Sequence, residues 1–136
     1  MSTRRKAREF AVQILFQEDM NRQDEISSLL KSFWEDKEAS DEARLFAEEL
    51  VTGTIENLSD IDDTIKRYSE HWDIKRMGVL DRNVIRLGVY ELLYRDDIPS
   101  NVSINEAVDI AKYFSDELSG KFINGILDKI NRESPR

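Results

Sequence analysis

Arg4, Arg5, Lys6 and Arg8 place four cations in five positions, interrupted only by Ala7. Clustered guanidinium and ammonium groups suit one kind of chemistry, the neutralisation of phosphate oxygens. The rest of the chain is acidic, with 20 Lys and Arg against 28 Asp and Glu and a net charge of −8. A concentrated positive site on such a chain is an electrostatic address for a polyanion. The bland alternative is a solvated charged turn with no ligand.

A second group lies far along the chain. Polar residues from Ser115 and Gly120 lead into Lys121 and Phe122, and Phe114 closes the preceding apolar pattern. Two aromatics thus bracket a turn. Single-stranded nucleic acid requires flat faces for its bases as well as cations for its phosphates. A helix start would add free backbone N–H groups. Phe122 also falls on the apolar stripe of the last helix, so a core position remains open for it, and Lys121 alone would be an ordinary surface lysine.

Other chemistry has little to work with. His71 is the single histidine and cysteine is absent, so neither a histidine zinc cluster nor thiolate chemistry is available. Asp60-Ile61-Asp62-Asp63 looks faintly like a calcium loop. Ile65, however, stands where that loop needs Gly, and His71 stands where it needs a bidentate Glu. The carboxylates better suit the first turn of a helix opened by Ser59. Gly78, Gly88, Gly120 and Gly125 are isolated, which leaves no glycine-rich phosphate loop. No catalytic residue, metal or cofactor is expected.

The elements that must position these residues are helical throughout. A chain of 136 residues with 5 Gly and 2 Pro fits one domain able to bury its own core. Thr3 is expected to cap a helix over 4–20, with Ala7, Phe10, Ala11, Ile14 and Leu15 on one face. Cations in its first turn oppose the helix dipole, at about 0.3–1 kcal/mol each when exposed. Further stripes predict helices from Asp24, from Ser40, from Ser59 and from Leu80. A capping box at Ser103 and Glu106 predicts the next start, and Phe122 to Ile130 the last helix. The pattern breaks around Trp72 to Gly78. The expected architecture is therefore all-α, about seven helices in two small bundles sharing a core, one spanning about 1–71 and the other about 72–136. Arg86 and Glu106 border apolar stripes and are expected to form a buried or half-buried pair. No apolar run approaches the ~18–20 residues of a membrane span, and no signal-peptide core is visible, so the expected compartment is the cytoplasm.

Several segments together resemble a known family. Arg4-Arg5-Lys6-Ala7-Arg8-Glu9 with Ala11-Val12-Gln13, Leu80-Asp81-Arg82 with Ile85-Arg86-Leu87, and Tyr90-Glu91-Leu92 are similar to the bacterial transcription antitermination factor NusB family. So are Ile98-Pro99, Ile104-Asn105-Glu106-Ala107 and the run Lys121-Phe122-Ile123-Asn124-Gly125-Ile126-Leu127-Asp128. The resemblance spans nearly the whole chain in order. It implies a NusB-like fold of two three-helix bundles and pairing with NusE, which is also a small-subunit ribosomal protein. It further implies binding of the single-stranded boxA element of nascent RNA and assembly of an antitermination complex on RNA polymerase, notably in ribosomal RNA transcription. Carried over by position, RNA contacts fall on Arg4, Arg5, Lys6 and Arg8, and on Phe114, Ser119, Lys121 and Phe122. NusE contacts fall at Phe16, often Tyr in such proteins, and at Asp81. Several relatives self-associate, which makes a homodimer one allowed state.

Two rivals follow. One is a helical protein–protein interaction module whose Arg cluster docks on an acidic partner without touching RNA. The other is the RNA-binding helical portion of a ribosomal RNA cytosine methyltransferase, which would need a separate catalytic chain. The resemblance and the charge pattern favour an RNA-binding adaptor without an active site.

Overall fold

The computed structural model describes residues 2–22, 25–69, 74 and 77–134. Among these residues the chain forms seven helices and no strand. They are α1 (Thr3–Met20), α2 (Ile26–Trp34), α3 (Asp41–Glu56), α4 (Leu58–Tyr68), α5 (Val79–Tyr94), α6 (Ser100–Phe114) and α7 (Glu117–Glu133). No helix among the described residues is long and apolar enough to cross a membrane. The chain divides into two compact units, Met1–Thr52 and Gly53–Arg136, so the division falls inside α3. The break expected near Trp72 lies further along, and 70–73, 75 and 76 are outside the described residues, His71 among them; so is Asp24.

In the first unit, α1 begins one residue earlier than its apolar pattern suggests. Ser2, not Thr3, is the cap: its backbone is extended and its Oγ accepts the Arg5 N–H at 3.1 Å. Both residue types cap well, so the backbone conformation decides between neighbours. The buried face of α1 includes Ala7, Phe10, Ala11, Ile14 and Leu15, as the spacing predicts. Phe10, Phe33 and Trp34 form an edge-to-face cluster with centroids 5.0 to 5.9 Å apart. The Trp34 indole N–H donates to Glu48 Oε2 at 2.8 Å, which ties α2 to α3. Ser40 caps α3 as expected, its Oγ accepting the Ala43 N–H.

In the second unit, α5 is enclosed on every side: each residue from Asn83 to Leu92 is buried. A helix buried all round must have its polar side chains satisfied. Asn83 donates to the Val79 carbonyl at 2.8 Å, and Glu91 accepts from the Ser103 hydroxyl at 2.8 Å. Arg86 makes a bidentate pair with Asp62, Nε to Oδ1 at 2.8 Å and Nη2 to Oδ2 at 2.9 Å. Its burial agrees with expectation, but this partner comes from α4 and from the acidic run first read as helix-dipole decoration. Gly53 permits close approach: a Cβ there would run into the Tyr90 ring.

The starts of α6 and α4 also differ from the expected ones. α6 begins at Ser100, so Ser103 is not a cap but lies one turn inside, where its hydroxyl serves Glu91. Pro99 explains this, because its preset φ of −60° suits a helix start and its missing N–H costs nothing there. Its carbonyl already accepts the Val102 and Ser103 N–H groups. α4 begins after Asn57, ahead of Ser59.

Candidate nucleic-acid interface

The first turn of α1 contains no acidic residue, an arrangement that works against the helix dipole. The four cations in and just beyond this turn are not equivalent. Arg4 and Lys6 are exposed, Arg5 is half-buried, and Arg8 is only 2% exposed. Arg4 and Arg8, one helical turn apart, both lie over the Phe46 ring of α3, with Cζ 4.4 and 5.5 Å from its centroid. The Lys6 ammonium lies 5.2 Å from the Phe10 centroid. The Arg8 guanidinium, which the resemblance placed among the RNA contacts, is enclosed in the packing of the first unit, whereas Arg4, Arg5 and Lys6 reach solvent.

The second group sits where α6 ends and α7 begins. Only Ser115 and Asp116 lie between the helices, so most of the expected 115–122 turn is already helix. Asp116 caps α7, its Oδ1 accepting the Ser119 N–H at 2.8 Å. The helix start is thus filled by the chain's own carboxylate, and Glu117 adds a second acid. A phosphate finds little room at that N-terminus. Around it a pocket of about 480 Å³ is lined by Met77, Gly78, Asp81, Asp116, Leu118, Ser119, Lys121 and Phe122.

The lining defines what the pocket can hold. Phe122 is half-buried, Lys121 is exposed at the wall, and Leu118 stands 74% exposed. Ser119 is buried, and its hydroxyl bridges Asp81 Oδ2 at 3.1 Å and the Ser115 hydroxyl at 3.0 Å. Burial raises the Asp81 carboxyl above the usual carboxylate range. The neighbouring Asp116 charge pushes the same way, while the Ser119 hydrogen bond opposes both. The pocket is apolar with a few polar groups on its wall, a lining for a flat ring with hydrogen-bonding edges better than for an anion. Phe114 is half-buried at the end of α6, edge-on to the exposed Tyr113 at 5.1 Å.

Of the two residues assigned to a protein partner, Phe16 is 37% exposed on α1 and Asp81 is half-buried in the first turn of α5. Asp81 thus lines the same pocket as Ser119, Lys121 and Phe122, a grouping that spacing along the chain did not reveal. Sequence reasoning also missed Phe46. The signal was present, since Phe46 lies three residues beyond Ala43 on the apolar face of α3.

Comparison with known proteins gives one answer. A model of the NusB family matches residues 5–132. The transcription antitermination protein NusB of Desulfitobacterium hafniense (strain DSM 10664 / DCB-2) is 50% identical over 131 residues, covering 94% of this chain and 87% of its own length. The protein of the same name from Geobacter sp. (strain M21) is 47% identical over 137 residues, covering 96% and 94%. Among solved structures, NusB of T. maritima superposes with a TM-score of 0.87 at 42% identity, covering 100% of this chain and 94% of the other. A chain from the crystal structure of antitermination factors NusB and NusE in complex with dsRNA superposes with a TM-score of 0.86 at 32% identity, covering 97% and 98%.

Proposed function

Because the chain belongs to the NusB family of transcription antitermination proteins, we propose that its exposed α1 cations and its α7 pocket contact single-stranded boxA-type RNA. It is an antitermination factor and not an enzyme. In this reading Arg4, Arg5 and Lys6 neutralise phosphates. Lys121, Ser119 and Phe122 meet a base or its sugar, with Phe114 at the edge of the same region. The partner is NusE, received at Phe16 and Asp81, and the pair serves an RNA polymerase antitermination complex in ribosomal RNA transcription, in the cytoplasm. A basic partner suits so acidic a chain, and a protein that also meets ribosomal RNA must carry positive charge. Self-association of the free chain is the remaining partner proposal, with exposed Tyr113 and Leu118 as apolar surface for it.

The observation that carries the reading is the start of α1. Exposed cations crowd a helix end that disfavours them, on a chain of net charge −8, which is the cost expected of a site kept for a ligand. A relative solved with NusE and dsRNA supports RNA and NusE as partners. Fluorescence anisotropy with boxA-like and scrambled RNAs, with and without NusE, tests it. The chain is expected to prefer the boxA-like RNA and to bind it more tightly with NusE present. Capture of a protein partner that survives nuclease treatment, with no RNA binding even at low salt, would replace this reading by a protein-interaction module.

A further inference from the structure

Phe46 carries two guanidinium groups on one ring, and nothing in the antitermination reading itself requires that. The ring is 7% exposed, so it is anchored in the first unit and cannot follow a mobile side chain outward. Arg4 approaches it to 4.4 Å and is exposed; Arg8 approaches it to 5.5 Å and is enclosed. Two like charges one helical turn apart repel each other. The first turn of α1 offers no carboxylate to hold Arg4, and the helix dipole disfavours a cation there. The negative face of an aromatic ring offsets that repulsion and, unlike a carboxylate, leaves the guanidinium N–H donors free for another acceptor.

We propose that Phe46 is a positioning residue for phosphate binding: it seats Arg4 with its charge uncompensated by any carboxylate on that turn and its N–H edge available to an RNA phosphate. Enclosed Arg8 lies over the same ring, 5.5 Å from its centroid. An Arg side chain free in water loses rotamer entropy when it grips a phosphate, and a seated one has already lost part of it. The inference rests on the RNA-binding reading above and names what makes the cation cluster effective.

Leu at position 46 keeps the burial and removes the ring face. Phe46→Leu is expected to weaken binding of a boxA-like RNA about two- to fivefold at low salt. Phe46→Tyr, which restores a ring, is expected to recover most of that loss. In an Arg4→Ala background Phe46→Leu should cause no further loss, because its effect passes through Arg4. Independent, multiplying losses would mean a merely structural role and overturn the proposal. The unaltered protein supplies a second readout, since NMR resonances of the Arg4 δ-protons should lie upfield through the ring current of Phe46. Random-coil shifts there would also overturn it, whatever the variants do. Absence of RNA binding by the unaltered protein removes the RNA reading itself. Normal binding with unchanged affinity in Phe46→Leu removes only the role of Phe46.

Discussion

Asp81 shows how one side chain can answer to two neighbours. Its carboxylate is destabilised by burial and by Asp116, and steadied by the Ser119 hydroxyl. A carboxyl whose folded pKa stands above its ordinary 3.8 binds protons more readily in the folded state. Stability contributed at this residue therefore falls as pH rises from about 3.8 through the raised value, and levels off above it. Asp81→Asn abolishes the titration and keeps an oxygen to accept the Ser119 hydrogen bond. Its thermal midpoint is expected to equal or exceed that of the unaltered chain at pH 7, with the gap shrinking towards pH 4. Thermal melts across that range check the sign; a gap that widens on acidification would contradict it.

At the scale of elements, the helices are held by contacts that differ sharply in tolerance. α5 admits polar residues only because each is answered, Arg86 by Asp62 and Glu91 by Ser103. Close approach is stricter still. At Gly53 the end of α3 lies against the Tyr90 ring, and Tyr90 stacks on Tyr94 with centroids 5.7 Å apart. Gly53→Ala would gain about 1 kcal/mol in helix propensity. The methyl would also have to displace a buried ring, an overpacking that costs typically about 1–3 kcal/mol or more. The net expectation is a loss of stability in urea denaturation, with RNA affinity of the folded fraction unchanged. Helix patterning alone would have predicted a gain at this position.

For the whole molecule, charge is the property that matters most. With a net of −8 and a pI near 4.8, the chain repels nucleic acid everywhere except where cations are concentrated. Three neutralised phosphates give a log–log dependence of RNA affinity on salt of about −2. Anisotropy titrations between low and physiological salt measure that slope. A flat response would take the α1 cluster out of the interface. A slope near −8 would mean about eleven neutralised phosphates, a far broader basic surface than the α1 cluster supplies. In the proposed reading, binding this weakly driven by charge leaves specificity to the α7 pocket and to the protein partner.

The amino-acid sequence by itself determined the all-α class, the number of helices and the apolar face of α1, because helical periodicity and capping are properties of neighbouring residues. It also exposed the basic start, since charge needs no fold to be counted. Which cations face outward was beyond it. Arg4 and Arg8 share a helix face and are chemically alike, yet one is exposed and the other is enclosed. Phe46 lies some 40 residues from both, and the pairing of Arg86 with Asp62 spans 24 residues. The grouping of Asp81 with Ser119 spans 38. Such partnerships depend on how helices pack, which no local pattern encodes, and they decide which of the conspicuous residues can reach a ligand.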